Sequence, residues 1–236
     1  MKEKILGVLG GIGPLATVYF MDMLVKMTDA DCDQAHIPVL CFNHATIPDR
    51  TAYILDQSQP NPLPVMEEDA KILERAGASY IAIPCNTAHY FYEQLQEAVS
   101  IPILNIIEET VGYITSQNPG VKKIGILATE GTIAARSYQK VCAARGVDYA
   151  IPNAGDLRSL MNIIYGQVKA GKEPDFEEFM RIIGVMKHDG CDAVILGCTE
   201  LSIIHRDFHM NRPDVVDSLQ VLARRSIELC GKRVVQ

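Results

Sequence analysis

Gly77-Ala78-Ser79-Tyr80-Ile81-Ala82-Ile83-Pro84-Cys85-Asn86-Thr87 is echoed much later in the chain by Gly190-Cys191-Asp192-Ala193-Val194-Ile195-Leu196-Gly197-Cys198-Thr199-Glu200. In both stretches the glycine stands eight positions before the cysteine. Each reads as the end of a helix, an apolar strand, then a cysteine and a threonine-containing turn ahead of another helix. A second echo precedes each: Lys4-Ile5-Leu6-Gly7-Val8-Leu9 resembles Lys123-Ile124-Gly125-Ile126-Leu127. Helical patterns follow both, over Pro14–Met27 and Thr132–Ala144. Two matched pairs in the same order point to a duplication, with one cysteine at the same topological position of each half.

Outward from these stretches the rhythm is strand, loop, helix. Further apolar runs bounded by turn residues lie at Ile37–Phe42, Ile101–Leu104 and Val215–Val216. Amphipathic spacing predicts helices over Pro64–Ala76, Ile133–Ala144, Leu157–Ala170 and Phe176–His188. Strands alternating with helices imply βαβ units, and strands apolar throughout suit a parallel sheet covered on both faces. Pro119-Gly120 breaks the chain near its middle. The expected fold class is α/β, with two similar lobes of mostly parallel sheet related by a pseudo-two-fold axis.

Composition narrows the function. The 236 residues carry a formal charge of −7, with 48% apolar and 22% charged side chains. That balance gives no electrostatic footprint for nucleic acid, so an anionic substrate needs local Arg or Lys. The opening Ile5–Leu9 run is too short for a signal-peptide core, and no stretch approaches about 18 apolar residues, so no membrane partner and a cytoplasmic location are expected. Seven cysteines, an odd number without C-x-x-C spacing, fit neither a disulfide scaffold nor a structural zinc site.

Cys85 and Cys198 each sit where a parallel strand ends and a helix begins, the end of such sheets at which ligands bind. A helix N-terminus is expected to lower a thiol's pKa. Two facing lobes would aim both thiols at one central space. A base on one face of a carbon and an acid on the other is what racemisation at a stereocentre needs, and a general base works best with its pKa near the working pH. Backbone N–H groups after each cysteine would stabilise the carbanion-like intermediate at its α-carboxylate.

Gly10-Gly11-Ile12-Gly13-Pro14 follows the first strand but matches neither a dinucleotide fingerprint nor a phosphate loop; it reads as a close-approach turn lining the same cleft. In the polar loop Phe42–Thr51, Arg50 is placed to clamp a carboxylate, with Asp49 to orient its fork. Tyr165 and Lys169 share a helical face, with Lys169 near a helix end where cations are favoured in any case. His205 and His209 have the spacing of metal ligands but lack a third, and are read as solvated helix residues.

Together, Pro84-Cys85-Asn86-Thr87-Ala88-His89, Gly197-Cys198-Thr199-Glu200-Leu201 and the Gly10–Pro14 turn resemble the aspartate/glutamate racemase superfamily, and within it the aspartate branch. Asn43–Arg50 and Ile163-Ile164-Tyr165 with Lys169 resemble that branch too. The resemblance implies two α/β lobes with the active site between them, divided here as residues 1–112 plus 214–236 and residues 113–213. It implies no cofactor, neither pyridoxal phosphate nor metal, and a homodimer. By the match Cys85 and Cys198 are the catalytic pair. Asn86, Thr87 and Thr199 would hold the α-carboxylate and amino group, while Arg50 and Lys169 would meet the side-chain carboxylate of a small dicarboxylic substrate; Ile12 is a further expected substrate contact. Glutamate racemases carry an Asp-Ser turn after the first strand and a His after the second Cys-Thr; Gly-Gly-Ile-Gly-Pro and Glu200 stand here instead, which favours aspartate. Relatives of broader preference often replace the first cysteine by threonine, and Cys85 is retained.

The alternatives are a glutamate, hydantoin or broad-specificity isomerase of the same superfamily, an arylmalonate-type decarboxylase, and a binding protein without catalysis. A decarboxylase of that kind needs one cysteine for protonation rather than two.

Overall fold

The apolar runs become strands, and the computed structural model, which describes residues 3–235, arranges them as two four-stranded parallel sheets. The first contains β1 (Leu6–Gly10), β2 (Val39–Asn43), β3 (Tyr80–Ala82) and β4 (Ile103–Leu104) in the order β2-β1-β3-β4. Its helices are α1 (Pro14–Met27), α2 (Arg50–Leu55), α3 (Leu63–Arg75), α4 (Tyr92–Ala98) and α5 (Ile106–Gln117). The second holds β5 (Lys123–Ala128), β6 (Asp148–Ala150), β7 (Ala193–Gly197) and β8 (Val215–Asp217) in the order β6-β5-β7-β8. Around it lie α6 (Glu130–Ala135), α7 (Ser137–Ala144), α8 (Ala154–Met161), α9 (Phe176–His188), α10 (Thr199–Asp207) and α11 (Ser218–Leu229). One strand order thus occurs twice, and β1 and β7 are buried along their whole length, as sheets covered on both faces require.

The local signals explain the boundaries. Pro14 opens α1, where its missing N–H costs nothing. Asn105, Asn153, Asp175 and Asp217 cap α5, α8, α9 and α11, each side chain accepting from backbone N–H groups of the first turn.

β8 pairs with β7 in the second sheet, and residue 112 lies inside α5. Two expectations are corrected. The single helix expected over residues 133–144 is broken at Arg136, whose φ of 58° ends α6 and starts α7. The stretch after α8 continues as a π-helical turn, Asn162–Val168. β6 was not foreseen; its exposed and half-buried Asp148-Tyr149-Ala150 give no continuous apolar run on this edge strand.

The two halves share a core. Leu6, Val8 and Phe20 of the first half form one apolar cluster with Ile126, Ile195 and Leu222 of the second. Helix α11 returns from the second sheet to pack on α1 and α5. A smaller cluster, with Leu9, Met66, Ile81 and Phe91, fills the other face of the first sheet. Across the seam Gly131 of α6 lies against Thr51 of α2, and a Cβ there would sit 2.9 Å from the Thr51 Cα. Among the described residues no helix is long and apolar enough to cross a membrane.

Gly11 has a φ of 90°, and a Cβ on it would collide with the backbone of His44. Gly11→Ala is therefore expected to lower stability by at least about 1–3 kcal/mol from the strained backbone alone, read as an earlier urea midpoint. An unchanged midpoint would refute the close-approach role of this turn.

Candidate active site

Corresponding strand ends of the two sheets face one another across the seam. From the first half come Ile12 after β1, Arg50 and Thr51 after β2, and Cys85, Asn86 and Thr87 after β3. From the second come Thr129 after β5, Tyr165 and Lys169 after β6, and Cys198, Thr199 and Glu200 after β7. They line one narrow pocket, with a cavity volume of about 10 Å³ in this conformation. All eight residues singled out from the sequence (Ile12, Arg50, Cys85, Asn86, Thr87, Lys169, Cys198 and Thr199) border it.

On the first side, Cys85 follows the end of β3 and its N–H donates to the Ile83 carbonyl at 2.7 Å. A 3-10 turn, Thr87–Phe91, stands where an α-helix was expected, and α4 starts only at Tyr92. Buried His89 fixes this turn. Burial lowers its pKa, so the ring stays neutral; Nδ1–H donates to the Cys85 carbonyl at 2.8 Å while Nε2 accepts from the Ile106 N–H at 3.2 Å. Asn86 accepts from the Tyr138 hydroxyl at 2.6 Å and donates to the Ser218 hydroxyl at 3.0 Å. Most of its capacity therefore ties the turn to the second half, leaving one amide hydrogen for a ligand. Thr87 Oγ1 lies 2.9 Å from Thr129 Oγ1 and 3.0 Å from Thr132 Oγ1, a second polar bridge across the seam.

On the second side, Cys198 is the N-cap of α10. Its Sγ–H donates to Glu200 Oε2 at 2.9 Å, and Glu200 Oε1 is ion-paired with Lys169 Nζ at 2.8 Å. The expected lowering of the thiol pKa is overturned here. Burial and then the Glu200 carboxylate push Cys198 well above the ordinary cysteine value, and Lys169 offsets this only in part. The sulfur is held as a thiol. Burial alone would raise Glu200, but Lys169 and the Cys198 S–H outweigh it and keep the carboxylate ionised. Burial likewise opposes the Lys169 charge, and Glu200 more than compensates.

Arg50 is only 7% exposed. Its Nη1 donates to the Pro48 carbonyl at 2.9 Å, but its Nε has no hydrogen-bond partner among the described residues. None of the ion pairs among those residues includes Arg50. A buried cation without a counter-ion is costly, so this cavity wall is made for an anion. Asp49 does not orient the fork: one oxygen caps α2 through the Ala52 N–H at 2.8 Å, and the other accepts from the Tyr165 hydroxyl at 3.2 Å.

Thr51 and Thr129 were missed. Thr129 follows the end of β5 as the Gly11-Ile12 turn follows β1, so the duplication points to this turn. Glu200 was noted only as a departure from a pattern. His205 lies near the C-terminal end of α10, outside this cavity, and His209 lies beyond the helix with a φ of 48°.

Comparison with known proteins agrees with this geometry. The structure resembles Picrophilus torridus aspartate racemase with a TM-score of 0.84 and 30% identity, covering 98% of this chain and 96% of that one. It shares its fold with Francisella tularensis glutamate racemase at a TM-score of 0.66 and 21% identity, over 97% and 81% of the two chains. In sequence, the chain is 28% identical over 232 residues to the broad specificity amino-acid racemase RacX of Bacillus subtilis (strain 168), 94% of this chain and 96% of that protein. Residues 9–225 match the family described as Asp/Glu/Hydantoin racemase. With two thiols brought to one cavity by duplicated halves, and a family match spanning both, the chain belongs to the Asp/Glu/hydantoin racemase family.

Proposed function

We propose that this racemase interconverts L- and D-aspartate by proton transfer at Cα between Cys85 and Cys198, without a cofactor. The observation that carries the reading is that both thiols line one narrow pocket from opposite halves, beside the uncompensated guanidinium of Arg50. One sulfur removes the Cα hydrogen while the other returns a proton to the opposite face, and the roles exchange with direction. Arg50 holds a carboxylate of the substrate. The remaining Asn86 amide hydrogen, the Thr87 and Thr199 hydroxyls and nearby backbone N–H groups orient the α-carboxylate and amino group, with Ile12 packing beside them. Likeness to the Picrophilus enzyme supports aspartate.

A second reading, a wider amino-acid range, is favoured by two observations. Lys169 was expected to meet the side-chain carboxylate together with Arg50, but its charge is already matched by Glu200. Beside that pair lies a largely apolar cleft of about 290 Å³, bordered by Leu15, Ala16, Val168 and Ile203. The test is incubation of L- and D-aspartate, L- and D-glutamate and L-leucine in deuterium oxide, followed by NMR and chiral chromatography. Aspartate racemisation, with deuterium entering the product enantiomer first, is the expected result. Turnover of glutamate or leucine at comparable rates would establish the wider range. Binding without exchange at any Cα would sink the enzyme reading.

A further inference from the structure

Glu200 is wired to both sides of the cavity's charge balance: one oxygen takes the Cys198 S–H at 2.9 Å and the other takes Lys169 Nζ at 2.8 Å. The carboxylate is itself buried, 5% exposed, so its field on the sulfur is little screened by water. Glu200 is the one carboxylate lining the shared cavity, and among the described residues its thiol hydrogen bond is with Cys198, not with Cys85. We propose that Glu200 is a positioning residue that decides which thiol carries the proton at rest, holding Cys198 as the acid and leaving Cys85 to act first as the base. The inference rests on the two-thiol reading, but its test does not require turnover.

The physics is an asymmetry imposed on a duplicated site. A thiolate formed at Cys198 would stand against the Glu200 carboxylate, and a like charge at hydrogen-bond distance disfavours ionisation. The thiol form is instead rewarded by the S–H···O⁻ contact. Lys169 acts in the opposite sense but is spent on the other carboxylate oxygen. The remaining titratable groups around this point are Tyr165 over Lys169, Asp49 against the Tyr165 hydroxyl, Arg50 and Cys85 itself. The C-terminal partner of each echo carries the distinction: Cys85-Asn86-Thr87 has no carboxylate where Cys198-Thr199-Glu200 has one.

The experiment is the pH profile of iodoacetamide alkylation, followed by peptide mass spectrometry, in the full-length protein. In the wild type near pH 7, Cys85 should be labelled well before Cys198. In Cys85→Ser, which isolates the second sulfur, the Cys198 midpoint should fall by about one pH unit or more when Glu200→Gln is added, because the opposing charge is gone and Lys169 is left unopposed. Adding Lys169→Met instead should move the midpoint upward. A merely structural role for Glu200 would not give shifts of opposite sign in the two variants. A Cys198 midpoint that stays or rises in Glu200→Gln would overturn the proposal. So would a fall in Lys169→Met, which keeps the test decisive should one variant fold poorly. If these shifts appear but the deuterium experiment shows no Cα exchange, Glu200 still sets the thiol and the racemase chemistry is what has failed.

Discussion

Serine at Cys85 or at Cys198 should lower racemisation by about 10²–10⁴-fold, the usual contribution of a positioned acid or base. Serine keeps the shape of the side chain, but its hydroxyl is far too weak an acid to exchange protons with a Cα–H near neutral pH. Because one face of the substrate keeps its sulfur, deuterium exchange or elimination should survive at one enantiomer only, and that enantiomer should differ between the two variants. Polarimetry for racemisation and NMR for exchange separate the two outcomes. Wild-type racemisation in either variant would defeat the two-thiol mechanism. Alkylation or oxidation of the thiols should silence the enzyme too, with reductant restoring it in the oxidised case.

Arg50→Met should raise KM for aspartate by roughly 10–150-fold, the equivalent of losing a hydrogen bond to a charged group inside a protein. The free enzyme should lose no thermal stability. Its guanidinium is 7% exposed without a counter-ion, so the native state sheds a buried unpaired charge along with the contact to Pro48. Arg50→Lys should not restore KM, because an ammonium cannot make the forked contact. Unaltered KM in Arg50→Met would move the substrate carboxylate elsewhere in the cavity.

Much of this was legible in the sequence because the chain repeats itself. The eight-residue spacing from glycine to cysteine marks the helix end, strand and turn of β3 and β7, and Lys4–Leu9 against Lys123–Leu127 marks β1 and β5. Strands with one polar face or on an edge were harder. β6 has no continuous apolar run, and β8 is only three residues long. Arg136 in the left-handed region could not be foreseen, since neighbouring apolar spacing continues across it. At the site, the residues singled out from the sequence line one pocket, but their pairings were not legible. Lys169 lies far along the chain from Cys198 and Glu200, and only the folded backbone shows that the lysine is already matched. The same closeness reverses what the start of α10 alone would do to the Cys198 proton.

The duplicated halves place like strand ends around the substrate but line them with unlike charges, Arg50 on one side and the Lys169–Glu200 pair on the other. Mirror-image molecules therefore meet near-mirror sulfurs in unequal surroundings. Their free energies in water are identical, so kcat/KM must be the same for both hands whatever the protein does. Any tighter grip on one hand has to reappear as a slower kcat for it, in the same proportion.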